Sequence, residues 1–234
     1  MNWSDQVTPH ILDNAAWASL SGPHASIAEA NGLARRYPVD VAPFAALADP
    51  DDPQAWLDLA QLIGPSGTAV LSAKQIEVPD DWEVLFKGSG VQLIGEEVEG
   101  KVENEAIELS PIDVPEMLNL IERTKPGPFL PRTIELGGYL GFRIDGTLVA
   151  MAGRRLHPAG WVEISAVCTD PTYRGQGLAG RLVRAVVAGI RADGDMSFLH
   201  ASATNENAIR LYEAMGFRLR MRSNFRVVKA PGDS

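Results

Sequence analysis

The sequence predicts an α/β fold: a strand-rich second half, preceded by a smaller α/β region. Three observations carry this. Between residues 139 and 169 strand-like runs follow one another, with an Asp145-Gly146 turn signal and no helix between them. A glycine-rich loop, YRGQGLAG at 173–180, then opens an amphipathic helical pattern, and a short apolar run, SFLHASA, leads into a second one, NENAIRLYEAM. Hydrophobic residues make up 45% of the 234, enough to bury a substantial core.

Taken in order, HILDNAAWASL and DPQAWLDLAQLI have apolar residues at helical spacing, the second after an Asp-Pro start. TAVLSA reads as a strand, and WEVLF and VQLIG, separated by KGSG, read as a hairpin. The acidic stretch GEEVEGKVENEAIEL suits a junction, which divides the chain into residues 1–97 and 98–234. DVPEMLNLIERT reads as a helix with Val114, Met117, Leu118 and Ile121 on one face, ended by the proline-rich KPGPFLPRT. GYLGFRI, TLVAMAGRRL and WVEISAVCT are strands. In LAGRLVRAVVAGIRA, Leu178, Leu182, Val186 and Ile190 share one face, and Arg181, Arg184 and Arg191 another. FRLRMR and FRVV close the chain as strands; the arginines there suit either a solvated strand edge or a local anion site.

Composition excludes several function classes. A net charge of -9 opposes binding to nucleic acid, where each neutralised phosphate needs a Lys or Arg. No run approaches the roughly 18 apolar residues of a membrane span, and the N-terminus lacks the pattern of a signal peptide, so a soluble cytoplasmic protein is expected. Cys168, the single cysteine, excludes an intrachain disulfide and a cysteine-cluster metal site. His10 and His24 stand isolated, and no metal is expected.

Gly175, Gly177 and Gly180 spell G-x-G-x-x-G before a helix, where backbone N–H groups and the helix dipole favour a phosphate. A dinucleotide fingerprint places its first glycine directly after a strand, with an acidic residue about 20 positions on. Here TDPTYR intervenes, and no acidic residue ends SFLHASA before Glu206. The phosphate therefore belongs to another cofactor.

Two segments carry a family resemblance. VCTDPTYRGQGLAG resembles the acyl-CoA loop of the GNAT superfamily of N-acetyltransferases, with Arg174, Gly177 and Ala179 at its key positions. N-x-x-A-x-x-L-Y-E-x-x-G-F, filled by Asn205, Ala208, Leu211, Tyr212, Glu213, Gly216 and Phe217, resembles the family's second segment. The resemblance covers roughly residues 105–230, and PGPFLPRTIELGGYLGF further resembles a bacterial subgroup with a degenerate acetyltransferase-like N-terminal half. It implies a mixed, V-shaped sheet splayed between WVEISAVCT and SFLHASA, with acetyl-CoA as co-substrate and an amine as acceptor.

Carried onto this chain, the resemblance assigns backbone pairing with the pantetheine arm to Val167, Cys168 and Thr169. It assigns pyrophosphate contacts to Arg174, Gly175, Gln176, Gly177, Leu178, Ala179 and Gly180, and support of the arm to Asn205. Tyr212 matches the family's general acid, a phenol able to protonate a departing thiolate. Glu163, eleven residues before Arg174, stands where some members carry a catalytic glutamate; the alternative is a strand-edge carboxylate facing solvent. Cys168 reads as a small buried residue rather than a nucleophile. Phe129, Arg132 and Glu135 are candidates to line the acceptor site, or merely pin their loop. The expected function is N-acetyl transfer to a primary amine of a small molecule or peptide. The alternative is an acyl-CoA-binding regulatory module without turnover.

Overall fold

The computed structural model describes residues 10–232. The first nine residues, on which part of the N-terminal reading rests, and the last two lie outside the described residues. The described chain opens on a reciprocal cap: the His10 ring accepts the Leu12 N–H, and Asp13 accepts that of His10. A 3-10 turn leads into α1 (Ala15–Leu20). Strands β1 (Glu29–Asn31), β2 (Ala34–Arg36) and β3 (Ala45–Leu47) form a small antiparallel sheet. Helix α2 (Pro53–Ile63) starts at Asp52, whose carboxylate accepts the Gln54 N–H, and buries Ala55, Trp56 and Leu59.

Eight strands of the described residues form the main sheet. They are β4 (Thr68–Ala73), β5 (Glu83–Ile94), β6 (Ile107–Leu109), β7 (Tyr139–Ile144), β8 (Thr147–Arg154), β9 (Trp161–Thr169), β10 (Met196–Ser202) and β11 (Arg218–Lys229). Their spatial order is β4-β11-β5-β10-β9-β8-β7-β6, and β9 with β10 is the parallel pair in an otherwise antiparallel ladder. Asp145 and Gly146, both at positive φ, form the two-residue turn between β7 and β8 that the sequence predicted. Helices α3 (Val114–Thr124), α4 (Leu178–Ala192) and α5 (Glu206–Ala214) complete the second half. Among the described residues no helix is long and apolar enough to cross a membrane.

Two strand readings are corrected. WEVLF and VQLIG are one continuous strand, not a hairpin. Gly88 is there for packing: a Cβ would collide with the Phe225 ring, which stacks on Phe86. The arginine-rich tail is likewise one strand, β11, lying inside the sheet between β4 and β5 rather than at a solvated edge. Three of its cations are tied to acidic neighbours: Arg218 to Glu96, Arg220 to Asp13, and Lys229 to Glu83.

The expected faces of α4 hold. Leu182, Val183, Val187 and Ile190 are fully buried against the sheet, each contributing about 1.5–3 kcal/mol of apolar burial. On the other face the acidic stretch after β5 runs along the helix. Arg181 meets Glu103 and Glu105 at 2.8 and 2.5 Å, and Arg184 and Arg191 bind the carbonyls of Glu99 and Glu96. Gly100 lies so close to Ala188 that a Cβ would stand 2.8 Å from its backbone.

Candidate active site

The site lies where β9 and β10 separate. Their parallel pairing runs from Trp161 with Met196 to Ile164 with Leu199 and stops there, although β9 continues to Thr169 and β10 to Ser202. The cause is local to β9. Its register against β8 shifts between Met151 and Gly153, and Ala166 takes a left-handed φ of 52° that costs an L-residue about 1–2 kcal/mol. The bulge bends the strand at Val167, Cys168 and Thr169, and the Thr169 hydroxyl is buried without a hydrogen-bond partner.

Beyond β9, Asp170 accepts the Thr172 N–H at 2.9 Å and pairs with Arg123 of α3, fixing the turn Pro171–Tyr173. The Arg174 side chain folds back onto the Thr169 carbonyl at 3.2 Å. Gly175 and Gly177 have φ of 79° and 75°, and Gly177 caps α4 without a capping side chain. From Gly175 to Gly180 no N–H is held by a backbone carbonyl among the described residues. Unpaired donors on a 15-residue helix suit an anion. With the orphaned Thr169 hydroxyl and the parted strands, they fit a long phosphate-bearing co-substrate such as acetyl-CoA.

A cavity of about 1030 Å³ joins these elements. It is lined by Val167, Cys168, Thr169, Arg174, Gly175, Gly177, Leu178, Ala179, Gly180, Asn205 and Tyr212; Gln176 and Glu163 are not on its wall. Asn205 caps α5, its side-chain oxygen accepting the Ala208 N–H at 3.2 Å. Tyr212 projects from α5, 7% exposed, and burial pushes its phenol up to about 12, with Cys168 adding to the shift. Burial likewise raises the Cys168 thiol to about 11, so it is protonated at neutral pH.

Glu163 is completely buried on a central strand, which disposes of a solvent-facing edge carboxylate. Both its oxygens are engaged. Arg155 donates to them at 2.7 and 2.8 Å, His200 Nδ1 stands 2.7 Å from Oε1, and the Leu156 N–H reaches Oε2 at 3.3 Å. Burial opposes ionisation, but Arg155 and His200 outweigh it and hold the carboxyl well below the usual carboxylate range. Sequence reasoning missed His200, Arg155 and Gln92, all of which line the cavity. Alternation does put His200 on the same strand face as Phe198, but its pairing with Glu163 depends on a register that only the fold reveals.

Of the acceptor candidates, Phe129 packs edge-on against Tyr139 at 5.3 Å, and Arg132 pairs with Glu135 and Asp40. None of the three lines the cavity, whereas residues 124–128 just before them do. Its far wall comes from the N-terminal half, through Leu12, Asp13, Ala16, Phe44 and Ser72. A separate cleft of about 230 Å³ between Arg36 and Val227 contains no sequence-predicted site residue.

Comparison with known proteins places this arrangement. Residues 139–227 match the family described as FR47-like protein. Over 83 residues, 34% of this chain, the sequence is 36% identical to the N-alpha-acetyltransferase RimI of Mycobacterium tuberculosis, and the match spans about half of that curated relative (51%). A crystal structure from Novosphingobium aromaticivorans, whose description places it in the GNAT family, is 39% identical. It aligns over 97% of this chain and 100% of its own, with a TM-score of 0.87. A GCN5-related N-acetyltransferase from Kribbella flavida shares the fold at 18% identity, with a TM-score of 0.60 over 94% of this chain and 96% of its own. The chain therefore belongs to the GNAT superfamily of N-acetyltransferases.

Proposed function

We propose that the protein transfers an acetyl group from acetyl-CoA to a primary amine of a small molecule or peptide, both bound together in the central cavity. The observation that carries this reading is the row of unpaired N–H groups from Gly175 to Gly180, opening onto the same cavity as Tyr212. Bound acetyl-CoA supplies an acyl group activated as a thioester. The loop N–H groups bind its pyrophosphate, with Arg174 and Gln176 at the loop's start. The backbone of Val167, Cys168 and Thr169 pairs with the pantetheine arm, a main-chain N–H near Val167 polarises the carbonyl, and Asn205 supports the arm from α5.

Tyr212 holds a proton at its hydroxyl through the neutral pH range, as its raised pKa requires, and donates it on the sulfur side. Glu163 contributes to deprotonating the amine, but with no oxygen free it acts through a neighbour. The Mycobacterium tuberculosis relative is named an N-alpha-acetyltransferase, which supports an amine acceptor here. We place the work in the cytoplasm, and assign residues 98–234 as the acetyltransferase domain, with 1–97 as a second α/β region that closes the cavity and also lends β4 and β5 to the domain's sheet.

The test is release of free thiol from acetyl-CoA across a panel of primary amines. Amine-dependent release supports the transferase; tight binding of acetyl-CoA with no release for any amine supports a regulatory module instead.

A further inference from the structure

We infer that His200, rather than Glu163, is the group that takes the proton from the acceptor amine, with Glu163 as the positioning residue behind it and Gln92 marking the proton's entry. The inference rests on the acetyltransferase reading above. His200 is the first residue of β10 beyond its last pairing with β9, so its ring stands at the fork where the sheet opens, on the cavity wall and 21% exposed.

The hydrogen-bond network fixes the state of the ring. Arg220 Nη1, which can only donate, binds Gln92 Oε1 at 2.8 Å, and the Leu12 carbonyl, which can only accept, binds Gln92 Nε2 at 2.9 Å. The amide orientation is thereby set, and its N–H points at His200 Nε2 at 3.0 Å. Nε2 must therefore be the accepting nitrogen, and Nδ1 carries the hydrogen donated to Glu163 at 2.7 Å. A buried carboxylate behind Nδ1 holds the ring in this tautomer and stabilises the imidazolium that forms when Nε2 takes a proton.

An entering ammonium replaces the Gln92 N–H as the donor to Nε2. Its N–H bond breaks, the electron pair stays on the amine nitrogen, and the proton resides on Nε2 until solvent takes it. Glu163 cannot do this itself, since Arg155 and His200 enclose its oxygens. The groups facing the ring are Phe198 from its own strand, Glu163 from the adjoining β9, and Gln92 from β5. Arg155 stands behind Glu163, and Arg220 and Asp13 stand behind Gln92.

Two measurements test this. Imidazole ¹⁵N NMR of the whole protein reads the tautomer without substrate: Nδ1 protonated and Nε2 bare is expected, and a proton on Nε2 in the neutral ring overturns the inference. In steady-state assays with phenethylamine, spermidine and an alanyl peptide, His200→Gln should lower kcat/KM about 100-fold at neutral pH, with acetyl-CoA affinity unchanged. The deficit should shrink towards pH 9.5, where the amine is already partly neutral. A deficit equal at pH 7 and pH 9.5 identifies a structural role and overturns it, as does unchanged turnover. Should none of the three amines react, or the variant fail to fold, the ¹⁵N spectrum of the wild type decides. Failure of acetyl-CoA to bind, by contrast, strikes the proposed function itself.

Discussion

Arg155 and Glu163 form a two-armed ion pair at the centre of the sheet, at 2.7 and 2.8 Å, with the carboxylate fully buried and the guanidinium lying 4.7 Å from the centre of the Phe44 ring. The pair ties the second half to the N-terminal half beneath the cavity. Removing the cation alone strands a buried charge, so Arg155→Met should cost about 3–5 kcal/mol in urea unfolding. Arg155→Met combined with Glu163→Gln should recover part of that loss; no recovery would mean that the arginine acts by packing on Phe44.

His24 gives a separate pH dependence. It is buried, with Nδ1 2.9 Å from the Tyr37 hydroxyl and its ring 6.0 Å from that of His157. Burial, then His157, lowers its pKa from 6.5 to about 4. Between those values the unfolded chain binds the proton and the folded chain does not, so stability falls as pH drops from about 6.5 to about 4. Urea midpoints at pH 7.5 and pH 5 should separate more for the wild type than for His24→Gln.

Much of the second half was legible in the sequence because its signals are local. The Asp145-Gly146 turn, the apolar stripe of α4 and the two family segments depend on neighbours a few residues apart. The errors share one cause. KGSG reads as a turn because two glycines normally signal one, yet Gly88 is small to admit Phe225, 137 positions away. The charges of β11 read as a solvated edge because Asp13, Glu83 and Glu96, which neutralise three of them, lie far off in sequence. His200 and Gln92 went unnoticed for the same reason: each is a lone polar residue in a strand until the sheet aligns them.

The loop's left-handed glycines are separable from its general shape. A Cβ at Gly177 would meet open space, so Gly177→Ala is penalised by its φ of 75° alone. It should cost about 1–2 kcal/mol of stability and, by tilting the first N–H groups of α4, weaken acetyl-CoA at least about tenfold by calorimetry. Gly180→Ala, at a helical position where the new methyl would lie 3.9 Å from Met215, should be far milder.

Tyr212→Phe removes the proposed proton donor and keeps the ring that packs against Phe217 at 5.7 Å. The expected result is a fall in kcat of about 100-fold with acetyl-CoA affinity nearly unchanged. Because burial raises the phenol to about 12, no loss of activity from its ionisation should appear below about pH 10.

In the proposed function the parted strands and the unpaired loop hold acetyl-CoA. Isothermal titration of the full chain with acetyl-CoA, with NAD as the control, tests it most directly. One site per chain with a dissociation constant of about tens of micromolar or tighter is expected for acetyl-CoA, and none for NAD. Absence of acetyl-CoA binding in that range, or tighter binding of NAD, would contradict it.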